Sequence, residues 1–159
     1  MSTTKVKRSQ IATFLNTSTT SGAVYKLVGL GVTTGKVNYN PKTTEETYVN
    51  EDTARISVDS YAPTMPIEMT AVPGDPVFDF VENLKKTRAI LSAAETDIVQ
   101  VDLYKTSSGG AYPAEKQSVS IQIDDWGGEG GKPAKINFTF NYAGNPTQGS
   151  YNVSSGTFS

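Results

Sequence analysis

Apolar and polar positions alternate along most of this chain, and a period of two predicts strands. Segment 97–104 sets Val99, Val101 and Leu103 against Ile98, Gln100, Asp102 and Tyr104. Segment 118–126 sets Val119, Ile121 and Ile123 against Ser120, Gln122 and Asp124. Segment 135–142 sets Ile136, Phe138, Phe140 and Tyr142 against Asn137, Thr139 and Asn141. Earlier strands are predicted at 24–30, 36–40, 55–60 and 65–72, the last with Ile67, Met69 and Ala71 on one face and Glu68 and Thr70 on the other. Two-faced strands of this kind build antiparallel sheets with one side in water.

The period changes once. Val77, Phe80, Val81 and Leu84 recur at i, i+3, i+4 and i+7, which predicts a helix over 75–89. Asp75 can cap it, and Pro76 takes the first helical position, where a missing N–H costs nothing. Asp79 and Glu82 stand early and Lys85, Lys86 and Arg88 late, as the helix dipole favours. The apolar stripe reads as the face that covers a sheet. The fold class is therefore mainly β, an antiparallel sandwich or open barrel with one flanking α-helix.

Polar stretches mark the boundaries. Residues 1–22, rich in Ser, Thr and Lys around Ile11, Ala12, Phe14 and Leu15, read as an N-terminal arm. Residues 23–145 form one β domain, and 146–159 form a polar C-terminal strand or trailing arm. Inside the domain, 41–53 reads as a long loop carrying Lys42, Glu45, Glu46, Glu51 and Asp52, with only Tyr48 and Val49 apolar. Gly-rich connections are predicted at 107–110, 127–131 and 144–149.

Composition removes whole classes of chemistry. The 159 residues contain no Cys and no His, which excludes thiolate nucleophiles, disulfides, Ser-His triads and most zinc sites. Only carboxylate chemistry survives. Asp124 and Asp125 are adjacent on a strand, so their side chains are expected on opposite faces, where they cannot converge. Glu45 and Glu46 lie in a polar loop without a partner. Gly127, Gly128, Gly130 and Gly131 lack the Gly-Lys-Ser/Thr ending and the following helix of a phosphate loop. No catalytic residue, metal ligand or cofactor is expected. The basic, polar start carries no apolar segment behind it and no run of eighteen apolar residues follows, so neither a secretory signal nor a membrane anchor is expected.

Charge is unevenly spread. Lys5, Lys7 and Arg8 put three positive charges in the first eight residues with no acid, so a formal net charge of −2 leaves −5 on the rest. A body this acidic is a poor duplex binder.

Two stretches carry a family resemblance. Gly29-Leu30-Gly31-Val32-Thr33-Thr34-Gly35 is followed by Asn40-Pro41-Lys42-Thr43-Thr44-Glu45-Glu46-Thr47-Tyr48-Val49. Further on stand Tyr61-Ala62-Pro63-Thr64-Met65-Pro66-Ile67-Glu68-Met69 and the Gly74-Asp75-Pro76 entry to the helix. In order and style, residues 10–142 resemble the major tail tube proteins of long-tailed, non-contractile phages, those of Gram-positive hosts most of all. The resemblance implies six copies to a ring and rings stacked into the tail of the virion, assembled in the host cytoplasm. It also implies a β-barrel bore shared by all six, with tape measure, tail terminator and tail tip proteins as partners. DNA would pass without specific binding. Placement assigns the inter-ring contact to Lys42, Glu45, Glu46 and Tyr48, and the bore wall to Glu68, Asp102 and Asp124. Rival readings are the tube of a contractile tail or type VI-like injection system, which shares the fold, and a β-sandwich adhesion or carbohydrate-binding module. An acid-dependent hydrolase is remote.

Overall fold

Polar residues between short apolar runs give a chain dominated by strands. The computed structural model describes residues 4–18, 20 and 22–159. In chain order its elements are β1 Ile11–Asn16, β2 Tyr25–Leu27, β3 Val32–Gly35, β4 Lys42–Glu46, β5 Arg55–Ser60, β6 Thr64–Thr70, α1 Pro76–Thr87, β7 Glu95–Asp102, β8 Ala111–Gly127, β9 Lys135–Asn152 and β10 Thr157–Phe158. One antiparallel sheet runs in the order β2-β1-β7-β8-β9-β6-β3, with β10 folded back on the end of β9. It curls into a half-barrel, as the predicted open barrel required. The Arg8 side chain, just before β1, donates to the Gly35 carbonyl at the end of β3 at 3.0 Å, tying the region beside one end of the sheet to its opposite edge.

The helix forms as its sequence dictates. Asp75 accepts from the Phe78 amide at 3.1 Å, and Arg88 ends the helix in a left-handed conformation with φ 47°. The buried residues are Val77, Phe78, Val81 and Leu84, with Phe80 only partly covered. They pack on the inner face of the sheet, against Met65, Ile67, Met69, Ile136, Phe138 and Phe140 among others. At Gly31 the entry to β3 approaches β6 so closely that a Cβ would lie 2.7 Å from the Thr70 carbonyl, at φ +78°. Only glycine fits there.

A second, smaller core lies on the outer face at the other end of the sheet. Ala12, Val99, Val101, Ala114 and Tyr151 are buried there, with Phe14, Tyr25, Tyr112 and Phe158 around them. Strand β7 is therefore covered on both faces, since Ile98 belongs to the first core while Val99 and Val101 belong to the second.

Four expectations change. The segment expected inside an N-terminal arm contains β1, whose Leu15 is fully buried and which pairs with both β2 and β7; residues 1–3, 19 and 21 of that arm lie outside the described residues. The expected loop 41–53 holds β4 and continues into β5 as a separate two-stranded hairpin. The strand expected at 36–40 reduces to a single bridge between Asn38 and Thr64, because Asn40 turns the chain away at φ 46°. Of the two alternatives for the C-terminal segment the structure has the strand and not the trailing arm, and the glycine loop expected before it is absent. Strand β9 continues without a break through the glycines expected to form a loop, and Tyr151 anchors it in the second core.

Candidate functional site

Strand periodicity and register together define one continuous polar face. Where helix α1 covers the inner side of β8, β9 and β6, the outer side carries every second residue. Ser120 stands opposite Asn141, Gln122 opposite Thr139, and Asn137 opposite Glu68 on β6. These side chains bond to one another rather than to a buried centre. The Asn141 amide donates to Gln122 Oε1 at 3.3 Å, and the Gln122 amide donates to Asp124 Oδ1 at 2.5 Å. The Thr139 hydroxyl donates to Asp124 Oδ2 at 2.7 Å. Lys135 forms an ion pair with Glu68. The result is a hydrophilic, side-chain-bonded wall, with a cleft at one end lined by Asp125, Trp126, Lys135 and Asn137 among others.

A bulge between Ile123 and Asp125 alters the expected placing of the adjacent acids. One extra residue breaks the alternation there. Asp124 then meets Thr139 while Asp125 accepts from the Asn137 amide at 2.7 Å, and Thr139 and Asn137 share a face. Both carboxylates therefore lie on the polar wall, each held by its own partner. Sequence alone misses this because a bulge leaves the apolar pattern of β8 intact up to Ile123.

The three acids expected along a bore are not brought together. Glu68 and Asp124 lie on the polar wall. Asp102 ends β7 in phase with Ile98 and Gln100, on the opposite face, and pairs with Lys105 at 3.3 Å. It lines a cleft with Arg8, Lys36 and Glu115 near the closing seam of the sheet.

Lys42, Glu45 and Glu46 occupy the exposed strand β4, and Tyr48 the turn that follows. Glu51 accepts from Arg55 Nε at 2.9 Å, and the Arg55 guanidinium lies 5.0 Å from the Tyr48 ring centre. This ion pair holds the Arg55 guanidinium above its ordinary value. The turn is thus shaped by its own side chains, with no contact to the body needed.

At the base of the hairpin a cleft of about 730 Å³ is lined by Tyr39, Tyr61, Pro63, Gln117, Tyr142 and Pro146 among others. The Tyr142 hydroxyl there is buried without a hydrogen-bond partner, and burial pushes its ionisation well above the ordinary phenol value, helped by Tyr39 and Glu115. Trp126, the aromatic side chain nearest the Gly-rich loop, is engaged within the chain, with Lys85 Nζ 4.5 Å from the ring centre and the Phe78 ring 6.1 Å away.

No family model matches the sequence, and no curated protein matches it significantly. Solved structures do share the fold. A chain from the tail of an empty GTA particle with C6 symmetry aligns with a TM-score of 0.65 at 10% identity, covering 90% of this chain and 98% of that one. A chain from the PVC sheath/tube terminator of an extracellular contractile injection system in the extended state aligns with a TM-score of 0.51 at 10% identity, covering 91% and 96%. Nearly the whole of each chain is matched, so the likeness runs over the whole fold and not over one part of it.

Proposed function

We propose that this chain is a structural subunit of a phage tail tube, assembling into stacked six-membered rings whose bore conducts DNA from the virion into the host. The observation that carries the reading is the polar wall on β8, β9 and β6. Its side chains are bonded to each other, and its reverse side is the main core. Such a wall suits a bore through which DNA and a tape measure protein slide without sticking. Asp124, Asp125 and Glu68 lie on it against Lys135, so its surplus charge is negative and repels phosphate within about 8 Å at physiological salt.

Similarity of fold to a tail chain with C6 symmetry supports the six-membered ring. In this reading the hairpin residues Lys42, Glu45, Glu46 and Tyr48 contact the adjoining ring, terminator and tip proteins close the tube, and assembly takes place in the host cytoplasm. The long-tailed, non-contractile type and a Gram-positive host rest on the sequence resemblance. The subunit performs no catalysis in this role.

The test is negative-stain microscopy of the purified chain at rising concentration. Hollow rods or six-fold rings are expected, and a chain that stays single throughout contradicts the proposal. Similarity to the sheath/tube terminator chain favours a second reading, the tube of a contractile system. A sheath gene beside this one would select it.

A further inference from the structure

The β4–β5 hairpin is a two-stranded sheet by itself, and such a ribbon is marginal in water without a surface to lie on. Its two faces differ. On one, the Thr44 hydroxyl donates to Asp59 and the Ser57 hydroxyl reaches the same carboxylate at 3.4 Å, so the polar groups satisfy one another. The other face pairs Thr43 with Val58 and Glu45 with Ile56. There Val58 is 54% and Ile56 70% exposed, an apolar strip flanked by acid. With Glu51 paired to Arg55, the carboxylates Glu45, Glu46, Asp52 and Asp59 face a single remaining cation, Lys42.

The N-terminal segment has the opposite character. Lys5, Val6 and Lys7 are all exposed, Val6 to 50%, and no acid occurs in the first eight residues. An extended Lys-Val-Lys run projects its valine to one side and its lysines to the other. Arg8 anchors the run to the body, donating to Gly35 and to the Ile11 carbonyl at 2.6 Å, so Lys5, Val6 and Lys7 lie exposed beside the seam between β1 and β3.

We infer that the hairpin of one copy receives the N-terminal segment of a second copy, Val6 against Ile56 and Val58, with Lys5 and Lys7 on the far side of the strand reaching round its edges to the acids that flank the strip. This names the surface on which the hairpin docks, and it rests on the self-assembling reading above. Each copy offers one patch and accepts the other, so the contact is heterologous and propagates instead of closing a two-fold dimer. Opposite charge orients the approach, and salt weakens it.

The absence of cysteine makes the contact directly testable. Val6→Cys and Val58→Cys chains are mixed under assembly conditions and oxidised. A covalent pair is expected in the mixture and not in either variant alone. Lys5→Glu with Lys7→Glu is expected to raise the concentration needed for assembly by about tenfold, and adding Glu45→Lys with Glu46→Lys is expected to restore it. All six positions lie outside both cores, and thermal melting confirms that each variant folds. Wild-type assembly with no Val6–Val58 cross-link, and with the charge-reversed chain assembling normally, overturns this inference alone. A wild-type chain that never assembles overturns the proposed function with it.

Discussion

Tyr25 donates its hydroxyl to one oxygen of the Asp97 carboxylate, bridging β2 to β7 over the intervening strand β1, while the Asn16 amide donates to the other oxygen at 2.9 Å. Burial first, and this bond second, push the Tyr25 phenol well above its ordinary value. Asn16 also accepts from the Ser18 and Val24 amides at 3.1 Å, so one carboxylate organises both ends of the β1–β2 connection. Tyr25→Phe removes a donor from a part-buried carboxylate and should cost about 1–2 kcal/mol in urea unfolding. An unchanged midpoint would show that solvent replaces the hydroxyl without loss.

Tyr142 presents the contrary case. Its hydroxyl is buried with no partner, so Tyr142→Phe should leave stability unchanged or raise it slightly. Both phenols are raised in the fold, so the unfolded chain releases its protons first. Their contribution is therefore fully present below the ordinary value of 10.0 and is lost as pH climbs through the raised folded values. Alkaline unfolding should steepen past that point, and Tyr142→Phe should flatten it. Thermal melts across the alkaline range measure both effects.

Gly149 lies under the returning strand β10. A Cβ there would sit 2.7 Å from the Phe158 ring and 2.5 Å from the Ser159 carbonyl. Gly149→Ala should displace β10, at a cost of about 1–3 kcal/mol, and expose the C-terminus to protease while helix α1 stays protected. Hydrogen exchange distinguishes this local release from global unfolding.

The extent to which sequence disclosed this fold follows from where burial is one-sided. Helix α1, β6, the second half of β8 and the first half of β9 each bury one face, and their periodicity shows it. Strand β7 buries Ile98 and Val99 on opposite faces, so its pattern reads as a clean alternation only if one core is ignored. Strand β1 is six residues between Ser- and Thr-rich flanks, too short for its apolar run to outweigh them. Of the hairpin, β5 was legible at 55–60 while β4 was not, for a physical reason: Lys42–Glu46 is polar throughout and buries nothing, so no apolar period exists to find. Of the site, Glu68 and Asp124 were legible from alternation. Asp125 was hidden by the bulge, and Asp102 lies on the opposite face of the sheet from Glu68 and Asp124, in phase with Ile98 as the alternation of β7 had it.

Charge on the polar wall should matter to passage and not to folding. Glu68→Lys together with Asp124→Lys removes the ion pair with Lys135 and the acceptor of Gln122 and Thr139, all outside the cores, so melting should fall modestly while the chain still folds. In a phage carrying the substituted subunit, DNA delivery and plaque counts should fall. Normal delivery from particles bearing the lysines would argue against the wall as the conducting surface.

The most direct measurement is reagent access to that wall in assembled material. Ser120 stands opposite Asn141 in its middle, and Ser120→Cys would be the sole thiol in the chain. In the single chain a small maleimide and a bulky polymer-linked maleimide should both react; after assembly the small reagent should still react while the bulky one is excluded except at the ends. Equal reaction of the bulky reagent along the whole assembly would contradict a shared central bore lined by this face.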